Sequence, residues 1–307
     1  MTSNSVPEPI VIVGSGAMAC LFGARLAPQR PVQILASWPQ GVAALRKDGI
    51  KEMVGEGWRQ HPVQVTTDPS EISPARFALV LVKAWQTRRA AEQLKTCLQP
   101  GGIALTLQNG LGNREILAEA LGESRAALGV TTYGATLLGP GQVRPAGEGA
   151  VELAMVPALE DLKVWLQHAG FYVKETMDLA GLAWGKLAVN AGINPITALA
   201  RATNKVVAKN PDARQLMEQS VHEVMAVAEE MGIHLPQNDP VAATLEVAQR
   251  TAENRSSMLQ DLERGAPTEV DAICGAIVQH GQQVGVETPL NQTFWRLIKA
   301  ATATAGD

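Results

Sequence analysis

The amino-acid sequence predicts an α/β N-terminal half followed by an all-helical C-terminal half. Three observations carry that expectation. Short apolar, β-branched runs alternate with helix-length stretches through the first half, the signature of a parallel sheet wound on both faces. The first of those runs leads straight into a glycine-rich turn. Beyond about residue 179 strand patterns stop and only helical stretches follow. With 307 residues, two domains are expected. Their spans are 1–178 and 179–307.

Bulk properties narrow the class. A hydrophobic content of 46% with 18% charge is that of a globular protein with a large core. The net charge of -4, with no basic stripe carrying interleaved aromatics, argues against nucleic acid as a partner. Cys20, Cys97 and Cys274 are far apart and odd in number, which disfavours a disulfide framework, and they have no metal spacing. The histidines form neither a metal nor a triad signature. Residues 1–8 are polar with no basic segment, so no signal peptide is expected, and no apolar run reaches membrane-spanning length. A cytoplasmic protein without a membrane partner is the expectation. The long helices suit burial within a monomer or across a homodimer.

In order, Pro9 to Val13 reads as a buried parallel strand. Gly14-Ser15-Gly16-Ala17-Met18-Ala19 follows, the dinucleotide fingerprint G-x-G-x-x-G/A with alanine in third place. The first glycine permits the tight turn and the second lets backbone approach a pyrophosphate. A helix over 17–27 would aim its N–H groups at the phosphates. Strand, turn and helix together make the half Rossmann-type. The next strand, 32–37, ends in Ala36, Ser37 and Trp38. An acid there would hold the ribose hydroxyl of NAD, and an arginine the 2′-phosphate of NADP. Neither is present, although the Ser37 hydroxyl can bond a phosphate.

Residues 50–67 read as short strands. The strand 77–82 ends in Lys83-Ala84-Trp85-Gln86, placing Lys83 where open α/β sheets bind ligands, although an exposed loop lysine fits equally well. A helix over 87–98 and a strand over 103–107 lead to Gln108-Asn109-Gly110-Leu111-Gly112. Asn109 suits either a turn or a ligand contact. Sheet and turns over 127–156, a helix over 157–168 and a strand over 171–174 complete the half.

Helices are expected at 180–200, 211–232, 240–264, 268–284 and 289–302. In the first, Lys186, Asn190 and Asn194 recur every four residues and form one polar stripe among Leu187, Ala188, Val189, Ala191 and Ile193. A thin polar line on an apolar helix must meet partners or line a cavity. A snorkelling lysine with two amides bonded to backbone is the plainer reading of the stripe alone. Thr268 suits a helix N-cap, which would leave Glu269 to favour the helix dipole, and Glu263 reads as a solvated charge.

Together these pieces resemble the ketopantoate reductase (2-dehydropantoate 2-reductase) family. The matching stretches are the Gly14–Ala19 turn, Lys83–Gln86, Gln108–Gly112, Trp184–Asn190 with Asn194–Ala198, and Ser256–Asp261 with Pro267–Asp271. They cover nearly the whole chain, and the lysine helix and the Ser-Ser-Met-Leu-Gln-Asp stretch are the most specific. The resemblance implies NADPH-dependent reduction of 2-dehydropantoate to (R)-pantoate, on the path to pantothenate and coenzyme A. It implies Lys186 as general acid and Glu269 as the carboxylate that holds the substrate hydroxyl region and the lysine. Asn109, Asn190, Asn194 and Ser257 match substrate-binding positions. Gly14, Ser15, Gly16, Ala17 and Met18 match the phosphate turn, and Lys83 and Asn109 lie near the nicotinamide end. Ser37 stands where family members often carry arginine, so NADP(H) is expected with NAD(H) left open. The competing readings are a reductase of another branched 2-keto acid and a non-catalytic dinucleotide-binding regulator. The expected arrangement is an active site between domains, with the Lys186 stripe as one wall.

Overall fold

A computed structural model describes residues 7–304. The polar start at residues 1–6, read above as lacking a signal peptide, lies outside them. The described chain separates into two compact units, the first comprising residues 7–82, 86–108 and 113–179 and the second 83–85, 109–112 and 180–304.

In the first unit, β1 (Ile10–Val13), α1 (Ala17–Leu26), β2 (Val32–Leu35), α2 (Pro39–Asp48), β3 (Ile50–Val54), β4 (Gly57–His61), β5 (Gln64–Thr66) and β6 (Ala75–Val80) come first. Then come α3 (Thr87–Cys97), β7 (Leu98–Thr106), α4 (Asn113–Leu121), β8 (Ala126–Thr131), β9 (Ala135–Gly139), β10 (Gln142–Pro145), β11 (Val151–Ala154), α5 (Glu160–His168) and β12 (Val173–Thr176). The main sheet has the order β12-β11-β8-β7-β6-β1-β2-β5. From β8 to β5 neighbouring strands are parallel, while β11 runs antiparallel to β8. Strand order reverses beside β1, which pairs with β2 on one side and β6 on the other. That is the switch point at which doubly wound sheets bind ligands.

β1 shows why the sheet is central. Ile10 and Ile12 enter one apolar cluster with Phe22, Leu26 and Phe171, and Val11 and Val13 enter another with Leu94 and Leu117. Alternate side chains thus feed two cores, which is why the strand reads as a continuous apolar run. β3, β4, β9 and β10 form a separate sheet of order β4-β3-β10-β9. The helix α2, absent from the pattern reading, starts with Pro39 and buries Val42 and Leu45.

The second unit is helical: α6 (Leu179–Ala200, its first residue counted with the first unit), α7 (Lys205–Lys209), α8 (Pro211–Glu230), α9 (Pro240–Arg250), α10 (Ser257–Glu263), α11 (Ala276–Val284) and α12 (Pro289–Thr304). Gly192 lets α6 press closely on α8 and α9, because a Cβ there would stand 3.0 Å from Val221 Cγ2 and Thr244 Cγ2. Two expectations are corrected. The stretch 240–264 is two helices, broken where the Asn204 and Lys205 N–H groups take the carbonyls of Asn254 and Ala252. The expected helix over 268–284 begins later, with a π-helical turn over Asp271–Gly275 before α11.

Among the described residues no helix is long and apolar enough to cross a membrane. No cluster of metal-ligating side chains occurs among them. Cys20, Cys97 and Cys274 are free and buried.

Candidate active site

The glycine turn is shaped by what it lacks. Gly14 has φ +123°, and a Cβ there would lie 3.0 Å from the Leu81 carbonyl oxygen at the end of the neighbouring strand. Its N–H donates to Leu35 O at 2.8 Å, tying the turn to β2. At Gly16 a Cβ would meet nothing within 4 Å, so the space over the start of α1 is open. Gly16 is the N-cap of the ten-residue α1 and supplies no side-chain cap to its first N–H groups. Ser15 is buried, Ala17 and Met18 are partly buried, and Ala19 packs fully into the core. These features fit a dinucleotide pyrophosphate: backbone donors, a positive helix end and room for close approach. Ser37 is exposed just past β2, with neither acid nor arginine in the two residues after it.

In the second unit, segments far apart in sequence meet at Glu269. This carboxylate is only 6% exposed. It accepts from Ala84 N–H at 3.2 Å and from Asn109 Nδ2 at 3.4 Å, and lies 3.6 Å from Lys83 Nζ. The helix-dipole reading of Glu269 that its position after Thr268 suggests is therefore corrected. Thr268 accepts the local Val270 N–H, at 3.3 Å, and no helix begins there. Lys83 Nζ also contacts Asp261 Oδ2 at 2.6 Å, while Arg264 holds Asp261 Oδ1 at 2.7 Å. Glu263, read as solvated, pairs with Arg255.

Gly110 explains how Asn109 reaches this place. It adopts φ +81°, and a Cβ would fall 2.4 Å from the Ala272 carbonyl oxygen in the π-helical turn. The next residue, Leu111, donates its N–H to that same oxygen at 2.9 Å. The loop therefore docks backbone against backbone, which only glycine allows.

α6 carries the polar stripe. Lys186 and Asn190 are partly buried and Asn194 is buried, while Leu187, Ala188 and Ala191 are packed into the core. Burial pulls the Lys186 ammonium down to about 8, and the charge of Glu269 opposes that fall. Asn190 Nδ2 is buried with no hydrogen-bond partner among the described residues. Orphaned buried donors are uncommon, and one beside a depressed lysine invites a ligand acceptor. For Lys83 burial acts downward, but Glu269 and Asp261 outweigh it and raise the ammonium above its ordinary value. The cations Lys83, Lys186 and Arg264 set against Asp261 and Glu269 leave the cluster a net positive charge, suited to a small carboxylate.

Lys83, Asn109, Lys186 and Glu269 are thus linked in one charged cluster, and Asn190 and Asn194 share the helix of Lys186. Ser257 is the first residue of α10, which also carries Asp261. Asp261 and Arg264 join the cluster without a role expected from the sequence. Asp261 follows Ser257 by four residues, the spacing that places both on one helix face, and that signal was available.

A switch-point sheet with a glycine turn, together with a lysine–carboxylate cluster, defines a dinucleotide-binding oxidoreductase. Comparison with known proteins resolves the class further. The family model "Ketopantoate reductase PanE/ApbA" matches residues 10–158, and its C-terminal counterpart matches residues 178–302. The 2-dehydropantoate 2-reductase of Halobacterium salinarum is 35% identical over 300 residues, covering 95% of this chain and 98% of its own. The crystal structure of a PanE/ApbA family ketopantoate reductase from Ralstonia eutropha superposes with a TM-score of 0.90 at 29% identity, covering 97% of this chain and 100% of that one. D-mandelate dehydrogenase with NADH and anilino(oxo)acetate shares the fold, with a TM-score of 0.91 at 24% identity, covering 97% and 99%. The chain belongs to the ketopantoate reductase family.

Proposed function

We propose that this protein catalyses the NADPH-dependent reduction of 2-dehydropantoate to (R)-pantoate, the step that feeds pantothenate and coenzyme A. Residues 1–178 serve as the dinucleotide-binding domain and 179–307 as the substrate domain, with the stretches 83–85 and 109–112 of the former counted in the compact unit of the latter. The observation that carries the reading is Lys186, a lysine brought to about 8 on a helix whose Asn190 amide has an unused donor.

Gly14, Ser15, Gly16, Ala17 and Met18 would hold the pyrophosphate, Ser37 would serve the adenosine ribose, and Lys83 and Asn109 would serve the nicotinamide end. When bound, the reduced nicotinamide supplies the hydride. The other roles belong to side chains. Asn109, Asn190, Asn194 and Ser257 offer neutral donors to the keto acid and orient its carbonyl. Charge grows on that oxygen as C2 is reduced, and the Lys186 ammonium neutralises it and delivers its Nζ proton to form the hydroxyl. Solvent then reprotonates the amine. Glu269 favours the charged lysine and accepts from the substrate hydroxyl region. An ammonium with a value near 8 is protonated at neutral pH yet gives up its proton far more readily than an ordinary lysine.

The test is a steady-state absorbance assay at the nicotinamide band, with ketopantoate and other branched 2-keto acids, each with NADPH and NADH. The highest kcat/KM is expected for ketopantoate with NADPH. A higher value for another keto acid would replace the substrate assignment, and a strong NADH preference would replace the cofactor.

A further inference from the structure

We propose that Thr197 and Ser256 form a positioning clasp that sets the substrate-facing amides of α6 against the start of α10, and so governs keto-acid affinity rather than the chemical step. The inference rests on the reduction proposed above. Neither residue belongs to the site described there.

Thr197 Oγ1 and Ser256 Oγ lie 2.7 Å apart although the residues are 59 positions apart in sequence. Thr197 is fully buried and Ser256 nearly so. Each end of the pair grips a functional segment. The Thr197 hydroxyl is 3.0 Å from the carbonyl oxygens of Ile193 and Asn194, so it touches the backbone of the second stripe asparagine. Ser256 Oγ accepts the Leu259 N–H at 3.1 Å and caps α10, whose first residue is Ser257 and whose fifth is Asp261.

α6 needs an outside tie at this point. Pro195 stands inside the helix and has no N–H, so the Ala191 carbonyl loses its ladder partner. The turn carrying Asn190 and Asn194 is therefore held less firmly by its own backbone than the rest of α6. A buried hydroxyl pair is a costly way to fill space, since each group must find a partner. Apolar side chains of similar volume would pack there without that demand, but they would not fix direction or separation. The hydroxyl pair fixes both, at the junction between Asn194 and Ser257.

The experiment compares Thr197→Val, which keeps shape and removes the hydroxyl, with Thr197→Ser, which restores it, and Ser256→Ala. Thr197→Val is expected to raise the KM for ketopantoate about tenfold, the effect of one lost buried hydrogen bond. Its kcat should stay within about twofold, and its KM for NADPH should not change. Thr197→Ser should return the KM toward wild type. The Thr197→Val/Ser256→Ala double variant should be no worse than the poorer single variant, since both remove the same bond. Ser256→Ala serves as an independent cut should Thr197→Val fail to fold. An unmoved ketopantoate KM in the folded variants, or a loss confined to melting temperature and active fraction, would overturn the clasp. Normal wild-type turnover with that result overturns the clasp alone, whereas absent wild-type turnover on ketopantoate overturns the reduction and the clasp together.

Discussion

The glycine turn of the first unit and the lysine cluster of the second meet their tasks by opposite physical means. The turn works through missing side chains: Gly14 has no room for a Cβ, and Gly16 leaves open space over a helix end. The cluster works through charged side chains that partly cancel: Glu269 and Asp261 against Lys83, Lys186 and Arg264. On the proposed function, the first region would bind through backbone and shape, and Lys186 with Glu269 in the second would tune a proton. Substitutions should divide accordingly, with changes in the turn moving cofactor affinity and changes in the cluster moving turnover.

The largest effect is expected from Lys186→Ala. Turnover should fall about 10³-fold, the usual worth of a positioned general acid, with NADPH affinity retained in a fluorescence titration. Near-normal turnover would remove Lys186 from its role. Glu269→Gln should cost about 10²-fold, for loss of the buried carboxylate proposed to support the acid and the substrate. Because Glu269 raises the Lys186 value against burial, the same variant should lose activity at a lower pH than wild type. A limb unmoved or shifted upward would break the coupling between the two residues.

Gly14→Ala probes the other side of the comparison. The added methyl meets the Leu81 carbonyl at a φ that disfavours side chains, so the KM for NADPH should rise about tenfold. Turnover at saturating cofactor should stay close to wild type. A fall in kcat with no change in cofactor KM would show that the two regions are not separable in this way. The smallest effect is expected from Ser37→Arg. A guanidinium at the end of β2 should improve NADPH over NADH by a few fold in kcat/KM, by pairing with the 2′-phosphate.

The two regions also differ in how far sequence reveals them. The turn is one unbroken stretch in which strand, glycines and helix follow in order, so Gly14 to Met18 can be read directly. The Lys186 stripe is nearly as open, because a four-residue repeat is a property of the helix itself. The cluster is not local. Lys83 and Asp261 are 178 positions apart, and no pattern in either segment announces the other. Glu269 resembles a helix-start carboxylate until tertiary packing buries it beside Asn109. The break between α9 and α10 was hidden for a similar reason. The carbonyls that end the helical run are satisfied by N–H groups at the start of α7, about 50 residues earlier, while the intervening sequence keeps a helical pattern.

The central claim is that Lys186 is the acid, and the pH dependence of kcat for ketopantoate reduction tests it most directly, measured on wild type and Lys186→Ala together. An ammonium that must be protonated loses function as pH rises through its own value. Wild-type kcat should therefore be level at neutral pH and fall with a single-group limb near 8, and the small residual rate of Lys186→Ala should show no such limb. The same limb in both proteins would contradict the assignment.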